Sequence, residues 1–130
     1  MIVVDSSVWI SFFANAPTPQ VEILTSINDR TEILVGDIVM LEVLRGAQSE
    51  RIARLMEEDL RRFDVARMLD ADIAAKAARN YRTLRAEGVT IRGSVDLIIG
   101  TYCIEYGHQL LYRDRDFDEM RRLGLEAYTG

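Results

Sequence analysis

Residues 1–10 read MIVVDSSVWI. Positions 1–4 are a continuous apolar run rich in β-branched side chains, the pattern of a strand buried on both faces. Strands of that kind belong to parallel sheets covered by helices. The run stops abruptly at Asp5, and Ser6 and Ser7 follow. An acid in that place has two readings. It can cap the helix that the serines open, or it can deliver a carboxylate to the edge of a sheet.

The rest of the chain repeats the alternation. Apolar runs at 32–35, 64–66, 109–112 and 125–128 predict four further strands. Helical periodicity predicts helices over 7–14 and 19–29, and over 37–45 between Asp37 as cap and Gly46 as stop. It predicts another over 49–63, with Ile52, Leu55, Met56 and Leu60 inward. Asp70 caps a long helix to Glu87, with Ile73, Ala77, Tyr81 and Leu84 inward, and Ser94 caps a helix to 106. "DFDEMRRL" predicts a short last helix, with Asp116 as its cap because Glu119 completes a capping box. Strand and helix in alternation argue for an α/β fold with a central parallel sheet. In such sheets ligands bind at the carboxyl ends of the strands, where strand order reverses.

Composition narrows the function. The 130 residues carry 21 acids against 16 bases, a formal net charge of -5, with 48% hydrophobic and 28% charged residues. A chain of this size reads as one domain, residues 1–130, able to bury a core without staples. The acidic balance argues against a simple nucleic-acid binder, but not against an enzyme whose acids are neutralised by cations. Lys76 is the only lysine, so nearly every base is an arginine, the side chain suited to bidentate contacts. Cys103 is the only cysteine and lies in an apolar run, which reads as a buried residue, and the single histidine, His108, has no partner for a zinc set. No basic leader precedes the first apolar run, and no run is long enough to span a membrane. The expectation is a cytoplasmic protein.

Four acids stand in unusual places. Asp5 ends the first strand. Glu42 is the only acid in "DIVMLEVL" (37–44) beyond the cap Asp37, in a segment so apolar that its helix reads as buried nearly all round, and a buried carboxylate needs a cation or hydrogen bonds. Arg45, one turn on, could pair with it instead. Asp96 falls in the first turn of its helix, where negative charge is favoured in any case. Asp114 ends the strand at 109–112 with no structural task once Asp116 is the cap. Each acid alone has a structural explanation. Together they make a set of hard oxygen donors for Mg²⁺ or Mn²⁺, of the kind that serves phosphodiester cleavage.

At this point the chain resembles a known family. "VVDSSVWI", "GDIVMLEVLRG", "RGSVDLIIGTYCIEYG" and "LLYRDRDFDEM" are similar, in order and spacing, to the motifs of the PIN domain, and in particular to VapC-type toxins of toxin–antitoxin pairs. The resemblance covers essentially the whole chain. It implies a three-layer α/β/α sandwich with a central parallel sheet. It implies an endoribonuclease dependent on Mg²⁺ or Mn²⁺, held in check by a VapB-type antitoxin, and a homodimer that binds two or more antitoxins. The family's catalytic acids fall on Asp5, Glu42, Asp96 and Asp114, with Asp5, Asp96 and Asp114 as metal ligands. Its small hydroxyl falls on Ser6, where it would hydrogen-bond a carboxylate or a nearby water. Asp116 shares the work of Asp114, and Arg92 stands where such toxins often carry a base that contacts RNA. The family's Ser or Thr two places before the last acid is replaced here by Tyr112.

Other readings with acids at strand ends fit less well. A receiver-type phosphoacceptor domain needs an acidic pair at the first strand and a lysine after a late one, whereas Asp5 precedes two serines and Lys76 lies in a helix. A haloacid-dehalogenase-type phosphatase needs a second Asp where Ser7 stands. A PIN-like module that binds a partner without catalysis would not need all four acids.

Overall fold

A computed structural model describes residues 1–130. Five short strands, β1 (Ile2–Val4), β2 (Ile33–Gly36), β3 (Asp64–Ala66), β4 (Gln109–Leu111) and β5 (Glu126–Ala127), form one sheet. Its order is β3-β2-β1-β4-β5 and every pairing is parallel. Seven helices surround it: α1 (Ser6–Phe13), α2 (Pro19–Ser26), α3 (Asp37–Arg45), α4 (Glu50–Leu60), α5 (Ala71–Ala86), α6 (Ser94–Tyr106) and α7 (Arg115–Met120). The expected alternation is therefore present, with the 19–29 helix ending early at Ser26. No helix is long and apolar enough to cross a membrane.

The central strands are apolar because both faces are covered. Val3, Val4, Val35, Leu110 and Leu111 are at most 1% exposed. Removing each such side chain from water stabilises the fold by roughly 1.5–3 kcal/mol. β1 pairs with β2 through Ile2 and Ile33, and with β4 through Val3 and Leu110. The chain runs outward from β1 to β2 and β3, then crosses over to β4 and β5. The reversal falls between β1 and β4, so the crevice opens beyond Val4 and Leu111.

Two close approaches set the helices around that crevice. Gly100 of α6 faces Met120 of α7 so closely that a Cβ there would collide with the methionine's Sδ and Cε. The absent side chain lets α7 lie against α6. In the α5–α6 contact, Asn80 Nδ2 donates to the buried Thr101 Oγ1 at 3.0 Å, which satisfies a hydroxyl that burial would otherwise penalise. Cys103 is fully buried, and burial pushes its thiol up to about 12, which leaves it inert as a nucleophile. His108 stacks on Tyr102 with ring centroids 5.8 Å apart.

Several helix starts differ from the sequence expectation. Asp37 is the first residue of α3, and Gly36 occupies the cap position. Its carboxylate instead accepts from Ile38 N at 2.8 Å and from Met68 N at 3.1 Å, tying the segment after β3 to the end of β2. Ser94 is likewise the first residue of α6, and the cap is Gly93, with no side-chain bond. Asp70 caps α5 as expected, accepting from Ile73 N at 2.8 Å. α3 is not buried all round, since Leu41 is 64% exposed while Val39 and Val43 are buried. On α4, Leu60 is buried but Ile52 and Leu55 are exposed. An amphipathic period identifies an apolar face; it does not say whether the domain itself covers that face.

Candidate active site

The crevice collects the four acids. Asp5 follows β1 directly and is held there by its own backbone, with Asp5 N donating to Leu111 O at 2.9 Å across to β4. Its side chain is buried and accepts from Ser7 N at 3.3 Å and Ser7 Oγ at 2.7 Å. Asp5 is thus the N-cap of α1 and a member of the acid cluster at once. Burial raises its pKa and the charge of Glu42 adds to the effect, while the hydrogen bonds from Ser7 and Ser6 work against it. The part played by Ser7 was not anticipated. The doubled serine after Asp5 was the available signal, since one hydroxyl serves Asp5 and the other serves Glu42.

Glu42 projects from α3 into the same depression. Ser6 Oγ donates to Glu42 Oε1 at 2.6 Å, a short, well-formed bond. Arg45 Nη2 lies 3.7 Å from the other oxygen, but its own side chain is 71% exposed. A pair that wet contributes little. Ser6 is the partner that orients Glu42.

Asp96 enters from the first turn of α6, half-buried. Its pKa is pushed up to about 7. Burial is the largest cause, followed by the negative charges of Asp5 and Asp114, a side-chain hydrogen bond with Asp114, and the charge of Glu42. The helix start, which ought to favour a negative charge, is outweighed by the acids around it.

Asp114 and Asp116 exchange the roles expected of them. Asp114 is the N-cap of α7, its Oδ1 accepting from Asp116 N at 2.9 Å. Asp116 lies within α7 and accepts from Arg92 N at 3.3 Å, joining the 91–93 loop to the helix. The capping-box pattern misassigned the start because a second Asp stands two residues earlier, directly at the strand end. Capping does not remove Asp114 from the cluster. One carboxylate oxygen from each of Asp96, Asp114 and Asp116 lies within 4.8 Å of the others. Tyr112 points its hydroxyl away from the acids, donating to Asp118 at 2.6 Å, and its ring packs on Phe117 at 5.2 Å. It anchors α7 and does not replace the missing small hydroxyl.

Asp5, Ser6, Ser7, Glu42, Asp96 and Asp114 line a depression of about 400 Å³. Asp96, Asp114, Asp116 and Arg92 line a second of about 850 Å³. The two share Gly93, Asp96 and Asp114, so they form one cleft. A set of carboxylate oxygens, one of them resisting ionisation until about pH 7, fits a hard divalent cation. Such an ion would relieve the repulsion that raises Asp96.

Comparison with known proteins places the fold. The PIN domain matches residues 2–123 of the chain. VapC ribonuclease Mb1587 of Mycobacterium bovis is 28% identical over 125 residues, covering 95% of this chain and 93% of that protein. The structure of VapBC2 from Rickettsia felis bound to a DNA fragment from their promoter aligns with a TM-score of 0.75 at 19% identity, covering 98% of each chain. VapBC-1 from nontypeable Haemophilus influenzae aligns with a TM-score of 0.75 at 22% identity, over 98% of this chain and 97% of that one. At those identities the structural likeness shows a shared fold. The domain match runs from β1 through the acid-bearing start of α7, and on that ground the chain belongs to the PIN domain family.

Proposed function

We propose that the chain, residues 1–130 acting as one PIN unit, is a metal-dependent endoribonuclease and the toxin of a VapBC-type pair. The observation that carries this reading is the convergence of Asp5, Glu42, Asp96 and Asp114 in one cleft. Similarity to a VapC ribonuclease over nearly its whole length supports the choice of RNA. Asp5, Asp96 and Asp114 hold Mg²⁺ or Mn²⁺, with Asp116 in support. A divalent ion bound there supplies positive charge that lowers the pKa of water and offsets the charge that builds on the phosphate.

The chain's own residues do the positioning. Ser6 fixes Glu42, whose free oxygen accepts a hydrogen bond from the attacking water and turns its lone pair toward phosphorus. Ser7 and the backbone hold Asp5 so that the cluster does not spread under its own repulsion. Arg92 contacts the RNA backbone beside the cluster. In the reaction one P–O bond forms from water and the bond to the leaving ribose oxygen breaks, that oxygen taking up a proton.

The inhibitor is a VapB-type antitoxin that covers the acid edge and inserts an arginine among the carboxylates, where a guanidinium can pair bidentately. The toxin acts as a homodimer in the cytoplasm, where both RNA and antitoxin are made. The test is cleavage of single-stranded RNA with Mg²⁺ or Mn²⁺. Asp96→Asn is expected to lose orders of magnitude in rate while keeping the fold, and a chelator to abolish cleavage. Cleavage that persists in excess chelator would overturn the metal-dependent reading.

A further inference from the structure

The charges around the cleft are arranged asymmetrically. The depression on the α1 and α3 side is lined by Asp5, Glu42, Asp96 and Asp114 and by no basic side chain. The depression on the α7 side contains Arg92 and Arg115. Both are exposed, and neither forms an ion pair, although Asp116 and Glu119 line the same space. Glu119 is instead paired with Arg122 at 3.0 Å. Unpaired arginines are common in this protein, so what sets these two apart is their place beside the acids. Two guanidiniums left free beside acids are available to an anion from outside.

Their roots are fixed even though their ends are free. Arg92 N donates to Asp116 Oδ2 at 3.3 Å, and Arg115 is the first residue of the helix that Asp114 caps. The 91–93 loop and α7 therefore present the two arginines from separate elements that are joined through Asp116.

We infer that Arg115, with Arg92, forms a phosphate seat on the α7 side of the cleft, which grips the RNA backbone one step along from the phosphate at the acids. This rests on the ribonuclease reading above. Of the two depressions that make the cleft, only this one is lined by basic side chains, so the strand passes out over α7. Arg115 is a positioning residue: it holds the neighbouring phosphate and leaves the reacting atoms to the acids. The fork of its guanidinium suits two phosphate oxygens at once, which a lysine matches less well.

The experiment is steady-state cleavage of a single-stranded RNA with one preferred site, in Mg²⁺ or Mn²⁺, across a series of KCl concentrations. Arg115→Gln and Arg92→Gln are expected to raise KM about tenfold, with kcat changed less than about threefold, since a charge-assisted phosphate contact is lost. The slope of log kcat/KM against log salt should flatten by roughly 0.7 for each contact removed from a single strand. Arg115→Lys should recover part of the loss. Arg30→Gln is the control, because Arg30 precedes β2 at the amino ends of the strands, away from the cleft at their carboxyl ends, and it should match wild type. A substrate with one uncharged methylphosphonate next to the scissile phosphate should weaken wild type but add nothing to Arg115→Gln. An Arg115→Gln enzyme with wild-type KM and salt slope overturns the seat, as does a methylphosphonate effect that adds in full. If the wild type itself does not cleave RNA, the ribonuclease reading has failed and the seat falls with it.

Discussion

Asp96→Asn should stabilise this protein when metal is withheld, and the size of the gain follows from the cleft. The carboxyl of Asp96 is pushed from an ordinary 3.8 up to about 7. A shift of roughly three units corresponds to about 4 kcal/mol at full weight. Asp96 is only half-buried, so water and salt screen much of that, and about 1–2 kcal/mol remains. The sign follows from the folded state binding the proton more tightly than the unfolded chain. The stability due to protonated Asp96 is fully present below about pH 4 and is lost as pH rises through about 7. Wild type in chelator should therefore weaken between pH 5 and pH 8, while Asp96→Asn weakens less. At pH 8 the variant should melt higher by several degrees. Mg²⁺ at a hundredfold excess over its Kd should then restore about 2.7 kcal/mol to wild type and little to the variant. Thermal melts at both pH values, with chelator and with Mg²⁺, decide it. A variant that melts at or below wild type at pH 8 in chelator would refute the account of Asp96 as a carboxylate held against burial and repulsion.

Substitutions at three other positions separate the duties of the cluster and its supports. Ser6→Ala removes the 2.6 Å bond to Glu42 and should cost about 1 kcal/mol in chemical denaturation, with a larger proportional loss in cleavage because Glu42 is released. Asp5→Ala removes a cap as well as a charge and should destabilise the fold by about 1–2 kcal/mol, seen as a lower melting temperature; Asp5→Asn keeps one acceptor and should melt near wild type while still losing cleavage. Tyr112→Phe should cost about 1 kcal/mol and speed amide hydrogen exchange in α7, because Asp118 loses its 2.6 Å partner.

The fold was legible because the strands are short, continuous apolar runs separated by helical periods, and parallel sheets leave few other ways to cover such runs. The four acids were legible only as a set: each alone has a local explanation, and Asp5 and Asp114 do cap helices, but four together at strand ends and on apolar helices call for a compensating charge. Local chemistry was read less well. Asp37, Ser94 and Asp116 all have cap-forming side chains, but the true cap lies one residue earlier in the first two cases and two earlier in the third. Cap preference fixes a neighbourhood, and the strand end fixes the residue. The exposure of Ile52 and Leu55 could not be read from periodicity, because a helix packed by its domain on one side shows the same period as a helix with a wider apolar face. The asymmetry between Arg92 and Arg115 on one side of the cleft and acids alone on the other depends on which way α7 leaves the sheet, and this follows from Gly100 meeting Met120.

The order of strands also bears on how the protein is made. β1 carries Asp5 and is synthesised first, yet one of its two neighbours, β4, is built from Gln109–Leu111. Until that segment leaves the ribosome, β1 has one open edge, and Asp114 and Asp116, a few residues further on, are still held inside it. A pairing of such long sequence separation forms late in folding. A partly translated chain therefore holds Asp5 and Glu42 but no completed cleft. A nuclease that would attack the RNA around its own birthplace is assembled only once the β4 segment and the acids behind it have been released.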